Sequence, residues 1–237
     1  MLIQNNLTNT KIHFGEDCRY KIIDLVEVQK QKNVLLIASE RSSKNEYIFE
    51  LIEKIQKVSN LYIWTKVKSN PRTKDVEKCF TEFKSKKISH IVGIGGGSVM
   101  DLAKAVAIRL GESDSLDRII LEKRAIKKRA NKLILLPTTS GTGSELSYGS
   151  ILTLDSTKEK IGLRGEEVAA DFALVDPCLS YSMPLKISMI SGFDALTHAI
   201  ETWVSKAATN EIKNNSKRAI KSIFENLPKI FLNQSDF

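Results

Sequence analysis

The chain has 237 residues, 42% of them hydrophobic and 27% charged. That is the balance of an ordinary soluble globular protein, long enough for one large domain or one domain and part of another. Its formal net charge of +8 favours an anionic cofactor or substrate, and the composition is neither that of a disordered nor that of a membrane-spanning chain.

The basic residues are spread out, apart from Arg118, Lys123, Arg124, Lys127, Lys128, Arg129 and Lys132. No aromatics interleave with that cluster, so it reads as a solvated helix face or loop, and no nucleic-acid partner is expected. Cys18, Cys79 and Cys178 are odd in number and far apart, with no Cys-x-x-Cys, which fits reduced thiols and excludes a disulfide or cysteine-metal framework. The start lacks a basic leader, and no apolar run is long enough to span a bilayer. A cytoplasmic protein with no membrane partner is expected.

Residues 11–14 read as a short strand ending at Gly15. From 18 to about 30, Ile22, Ile23, Leu25 and Val26 recur at helical spacing. Residues 33–38 are an apolar strand closed by Ser39, and 45–58 an amphipathic helix. A strand over 61–67 and a turn through Asn70 and Pro71 follow. Residues 73–86 form a helix with Val76, Cys79, Phe80 and Phe83 on its apolar face.

The next stretch organises the chain: Ile91-Val92-Gly93-Ile94-Gly95-Gly96-Gly97-Ser98-Val99-Met100-Asp101-Leu102-Ala103-Lys104. A β-branched apolar run predicts a buried strand. Three glycines and a serine then open a helix from Val99 to about Leu110. A tight glycine turn at a helix N-terminus points backbone N–H groups at an anion and lets a phosphate approach the main chain. Ser98 either caps the helix or meets the phosphate. The spacing is not Gly-x-Gly-x-x-Gly, and strand-to-helix packing alone is the competing reading.

Residues 132–136 are a further strand, ended by Pro137. Thr138-Thr139-Ser140-Gly141-Thr142-Gly143-Ser144-Glu145-Leu146-Ser147 crowds hydroxyls and glycines after it, as suits a polyanionic or ribose-bearing ligand, or else a Ser/Thr-capped turn. Residues 151–154 and 172–175 read as extra strands, and 187–204 and 210–227 as helices. Strands alternating with helices predict an α/β fold with a mostly parallel, Rossmann-like sheet over residues 1–180, followed by the beginning of an all-helical domain over 181–237. In such sheets ligands bind at the carboxyl ends of the strands, so the turns at Ser39, Asn70, Gly95 to Gly97 and Thr138 are expected to line one crevice.

The motifs Gly95-Gly96-Gly97-Ser98-x-x-Asp101, Pro137-Thr138-Thr139-x-Gly141-Thr142-Gly143-Ser144-Glu145, Asp176-Pro177 and Gly192-Phe193-Asp194-Ala195-Leu196-Thr197-His198 resemble those of the iron-dependent (group III) alcohol dehydrogenases, in the right order from about Lys11 onward. The resemblance implies a dinucleotide-binding N-terminal domain, a helical C-terminal domain, and hydride transfer between NAD(P)H and an aldehyde, ketone or alcohol at a divalent metal, iron or zinc. It places the pyrophosphate at Gly95, Gly96, Gly97 and Ser98, with Asp101 on the first helical turn. Thr138, Thr139, Thr142 and Ser147 would line the nicotinamide ribose, Lys160 and Asn70 would contact the cofactor, and Leu179 would lie near the adenosine. Many NAD-preferring relatives carry an acid where this chain has Ser39. With Arg41 nearby, that implies a preference for NADP(H).

Asp194 and His198 match the first two metal ligands, and four residues apart on a helix they share one face. Alone, such a pair is more often a surface ion pair or cap than a metal site; within this motif the balance reverses. The remaining histidines, His13 and His90, precede the crevice and read as structural. The family's two later histidine ligands have no match, so the sequence reads as a C-terminally truncated member or one completed by a second polypeptide. Two ligands hold a metal weakly, which puts turnover by this chain in doubt. The uncovered helical faces favour self-association into a homo-oligomer. The alternatives are an inactive nucleotide-binding remnant, or an enzyme resembling dehydroquinate synthases and glycerol-1-phosphate dehydrogenases.

Overall fold

The computed structural model describes residues 2–4, 8–27 and 32–233. The chain divides into two compact units. One is Met1–Thr138 with Ser144–Tyr181, and the other is Thr139–Gly143 with Ser182–Phe237. The short segment 139–143 therefore groups with the helical unit.

The first unit holds a seven-stranded sheet. Its strands are β1 (Leu2–Gln4), β2 (Lys11–Phe14), β3 (Asn33–Ala38), β4 (Asn60–Trp64), β5 (His90–Gly95), β6 (Lys132–Pro137) and, later in the chain, β9 (Phe172–Val175). They lie in the order β1-β2-β9-β6-β5-β3-β4, and all pairs are parallel except β1 with β2. Between β6 and β9 a separate antiparallel pair forms from β7 (Gly149–Thr153) and β8 (Lys160–Arg164).

The crossovers are α1 (Lys21–Glu27), α2 (Glu46–Val58), α3 (Thr73–Phe83) and α4 (Gly97–Arg109), with the short α5 (Leu116–Leu121) after α4. Strand alternation sorts the core into two layers. Leu35, Ile37, Ile91, Leu133 and Leu135 face α3, α4 and α5. Val34, Leu36, Val92, Ile94, Ile134 and Leu136 face α1 and α2. Helix α4 is buried nearly all round, as a helix at the centre of such a layer must be.

Several boundaries differ from the sequence reading. Residues 28–30 of the expected first helix lie outside the described residues. The expected strand over 61–67 stops at Trp64, whose pairing with Ile37 is the last rung of the parallel ladder; Lys66 then meets Ser39 only in an isolated antiparallel bridge. Helix α4 begins at Gly97 with Gly96 as its N-cap, so Ser98 lies within the first turn and does not cap it.

The basic stretch near residue 120 is tied to acids. Arg118 and Arg124 both pair with Asp114 and Glu122, Lys127 pairs with Glu112, and Arg129 and Lys132 share Asp171. The second unit contains α6 (Leu185–Val204) and α7 (Asn210–Asn233). Among the described residues no helix is long and apolar enough to cross a membrane.

Candidate functional site

The strand order reverses between β3 and β5. The chain leaves β3 toward β4 on one side, and leaves β5 toward β6 on the other. Such a switch point opens a crevice at the carboxyl ends of the two strands. Ser39 closes β3 there, and the glycine turn closes β5.

The glycines of that turn serve different ends. A Cβ on Gly95 would lie 2.6 Å from Val99 Cγ2, and one on Gly93 would lie 2.8 Å from both Ala103 Cβ and Leu135 Cδ2. Both allow α4 to pack directly on β5 and β6. Gly96 is half-exposed, and its φ of −77° is open to any residue. It caps α4 without a side chain, so the amides of the first turn keep donors for an external acceptor. Thr138, on the neighbouring strand end, donates its N–H to the Gly95 carbonyl at 3.1 Å.

Beneath the turn lies a charged cluster built around Lys104, which is fully buried. Its Nζ donates to the carbonyls of Ser144 (2.5 Å), Gly149 (2.7 Å) and Ser147 (2.9 Å) and to the Ser147 hydroxyl (3.0 Å). Asp101 accepts the Ser144 hydroxyl at 2.7 Å, and its carbonyl accepts the Ser150 hydroxyl at 2.8 Å. Burial pushes the Lys104 ammonium down to about 8, against the opposing pull of Asp101 and Glu145. Burial likewise raises both carboxyl groups, each partly offset by Lys104. Sequence reasoning missed Lys104. The available signal was a lysine inside the unbroken apolar run of α4, one turn after an acid.

The Ser39 hydroxyl accepts the Ser42 amide at 3.0 Å and meets the Ser42 hydroxyl at 2.8 Å, so it closes the turn into a 3-10 helix over Ser42–Lys44. Asn70 is exposed in a left-handed turn, φ 52°, a conformation asparagine tolerates. Lys160 is exposed on β8 opposite Thr153. The Leu179 side chain is buried in the core layer with Leu36 and Leu174.

Thr139 and Thr142 fall in the segment that groups with the helical unit. Within that unit a Cβ on Gly141 would meet the Ser191 carbonyl oxygen at 2.6 Å and its Cα at 2.9 Å, and Gly143 has φ +62°. These two glycines answer to close packing and to backbone conformation. The strand ends therefore bring together Ser39, Gly95 to Gly97 and Thr138, with Asn70 beyond the edge strand β4.

Residues 9–177 match the family model for iron-containing alcohol dehydrogenases. The chain belongs to that family. It is 32% identical over 227 residues to long-chain-alcohol dehydrogenase 1 of Geobacillus thermodenitrificans, covering 94% of this chain and 57% of that protein. It superposes on the crystal structure of an iron-containing alcohol dehydrogenase from Thermotoga maritima with a TM-score of 0.84 at 31% identity, covering 96% of this chain and 62% of the other. A sulfoacetaldehyde reductase from Bifidobacterium kashiwanohense, in complex with NAD+, superposes with a TM-score of 0.87 at 28% identity, covering 96% and 60%. The chain thus spans roughly three-fifths of the length of these relatives. These matches do not favour the dehydroquinate synthase-like reading.

In this iron-containing alcohol dehydrogenase family member, Asp194 and His198 stand one turn apart on α6, half-buried and exposed respectively. Among the described residues no group of three or more His, Cys, Asp or Glu is placed to hold a metal. His90 is buried at the opposite end of β5, between Ser89 (3.0 Å) and Lys32 (3.4 Å). Burial, then Lys32, lowers its imidazole to about 4.

Proposed function

We propose that this chain carries the dinucleotide-binding part of an NAD(P)-linked oxidoreductase acting on a small alcohol or aldehyde. The observation that carries the reading is the switch point between β3 and β5, where an N-terminal helical turn without a side-chain cap meets the carboxyl edge of the sheet. The pyrophosphate would lie at the amides of Gly97 and Ser98, beside Gly96. The partial positive charge of the helix N-terminus contributes about 0.3–1 kcal/mol toward an anion there. The nicotinamide, when bound, supplies the hydride chemistry. The chain's own residues would bind and orient it: Gly95, Gly96, Gly97 and Ser98 at the phosphates, Thr138 and Ser147 toward the nicotinamide ribose, Ser39 toward the adenosine ribose, Leu179 near the adenosine, and Asn70 and Lys160 as further contacts.

Family membership supports a divalent metal at Asp194 and His198. Those two donors do not make a site by themselves, because catalytic centres usually have three protein ligands and an open position. No step is assigned to a metal in this chain.

NADP(H) is the proposed preference, since Ser39 stands where an acid would repel a 2′-phosphate. The proposed location is the cytoplasm. The test is fluorescence titration of the purified chain with NADH and NADPH, followed by an aldehyde panel with and without added Fe(II) or Zn(II). Saturable binding supports the dinucleotide reading. Folded protein that binds neither cofactor contradicts it.

A further inference from the structure

One buried cation fixes the segment that joins the hydroxyl-rich loop to β7. Lys104 lies on α4 about two turns beyond the helix start at Gly97. An ammonium has three protons, and four acceptors converge on this one: the carbonyls of Ser144, Ser147 and Gly149 and the Ser147 hydroxyl, all within 3.0 Å. The charged groups that face it are Asp101, one turn earlier on the same helix, and Glu145, on the segment itself. Asp101 grips the same segment a second time through the Ser144 hydroxyl. Helix α4 therefore presents the glycine turn at its start and holds residues 144–149 from its flank.

We propose that Lys104 is a positioning residue, which sets Ser147 and its segment at a fixed place relative to the Gly96 to Ser98 turn, so that one helix keeps the two ends of a bound dinucleotide in register. The proposal rests on the dinucleotide reading above. Lys104 itself is fully buried and acts only through the carbonyls and hydroxyl it holds.

The experiment titrates the 237-residue protein and its Lys104→Met and Lys104→Gln variants with NADH and with ADP, after circular dichroism has shown each variant folded. ADP carries the pyrophosphate and engages the glycine turn without the nicotinamide ribose. Lys104→Met is expected to bind ADP within about twofold of the unmodified protein and NADH about tenfold or more weakly, the size of one lost charge-assisted contact. Lys104→Gln, which retains two donors, is expected to fall between. A merely structural lysine weakens both ligands together. Equal loss for the two ligands, or no loss for either, overturns the proposal while leaving the dinucleotide reading standing. An unmodified protein that binds neither ligand removes that reading and this proposal with it. If Lys104→Met does not fold, Lys104→Gln decides by the same comparison. If neither folds, Lys104 holds the whole domain and not the segment, and the proposal falls.

Discussion

Gly95 and Gly96 are neighbours with different reasons to be glycine. At Gly95 any Cβ meets Val99 at 2.6 Å, so Gly95→Ala should overpack the β5–α4 contact and cost about 1–3 kcal/mol. At Gly96 the backbone conformation is ordinary and the residue half-exposed. Gly96→Val should therefore melt near the unmodified protein yet lose dinucleotide binding, because the branched side chain occupies the phosphate's approach. Thermal melts paired with NADH titration separate the two glycines.

Ser39 is also testable alone. Its hydroxyl holds the Ser42 amide, a bond that an aspartate can also accept. Ser39→Asp should then keep the turn and add a charge against a 2′-phosphate. At about 4 Å and an effective dielectric near 20, that repulsion is about 4 kcal/mol. The ratio of NADPH to NADH affinity should fall by tenfold or more. An unchanged ratio would mean that Ser39 does not face the adenosine ribose.

His90 predicts a pH effect. Its imidazole is lowered from 6.5 to about 4 in the fold, so between those values the unfolded chain binds more protons. The stability it contributes is complete above about pH 6.5 and is lost as pH falls through 4. Urea unfolding should show a shallower loss between pH 7 and 4 in His90→Gln than in the unmodified protein. Parallel curves would show that His90 does not carry the effect.

At the scale of elements, periodicity made most of the fold legible. Strands rich in Val, Ile and Leu, separated by amphipathic helices, point directly to the parallel sheet, and the glycine turn marks an interior strand of it, β5. The misses have physical causes. Strand β8 is only Lys160–Arg164, with Gly162 at its middle, and it pairs locally with β7, so its alternation is too short to stand out. Helix α5 is six residues long and lies among charges that read as a solvated run. The neutralisation of those charges by Asp114, Glu122 and Asp171 is a tertiary fact that composition does not carry.

The hydroxyl-rich loop is legible as a special segment, whose composition suits either a polyanionic ligand or a Ser/Thr-capped turn. Gly141 is instead required where the loop backbone meets Ser191 on α6. Since the clash is with backbone, Gly141→Ala should destabilise the helical unit by about 1–3 kcal/mol. Amide exchange should quicken across α6 while the strands of the sheet keep their protection. Protection equal to that of the unmodified protein would show that the loop yields without cost.

For the whole molecule, burial is uneven. The sheet unit buries a core layer on each face of its sheet, whereas Phe193, Trp203, Val204, Phe224, Phe231 and Leu232 of the helical unit are each about half exposed or more. Apolar surface of that extent favours association. The 237-residue protein should elute above its monomer mass in light-scattering chromatography, and a strict monomer at tens of micromolar would count against it.

On the reading proposed here, the switch point between β3 and β5 binds a dinucleotide through the first turn of α4. The most direct measurement is isothermal or fluorescence titration of NADPH and NADH into the unmodified protein and into Gly96→Val. Saturable binding of at least one cofactor by the unmodified protein is expected, with its loss in a Gly96→Val variant that still melts within a few degrees of it, since valine caps a helix less well than glycine. Equal affinity in both proteins, or no binding by a folded unmodified chain, would contradict it.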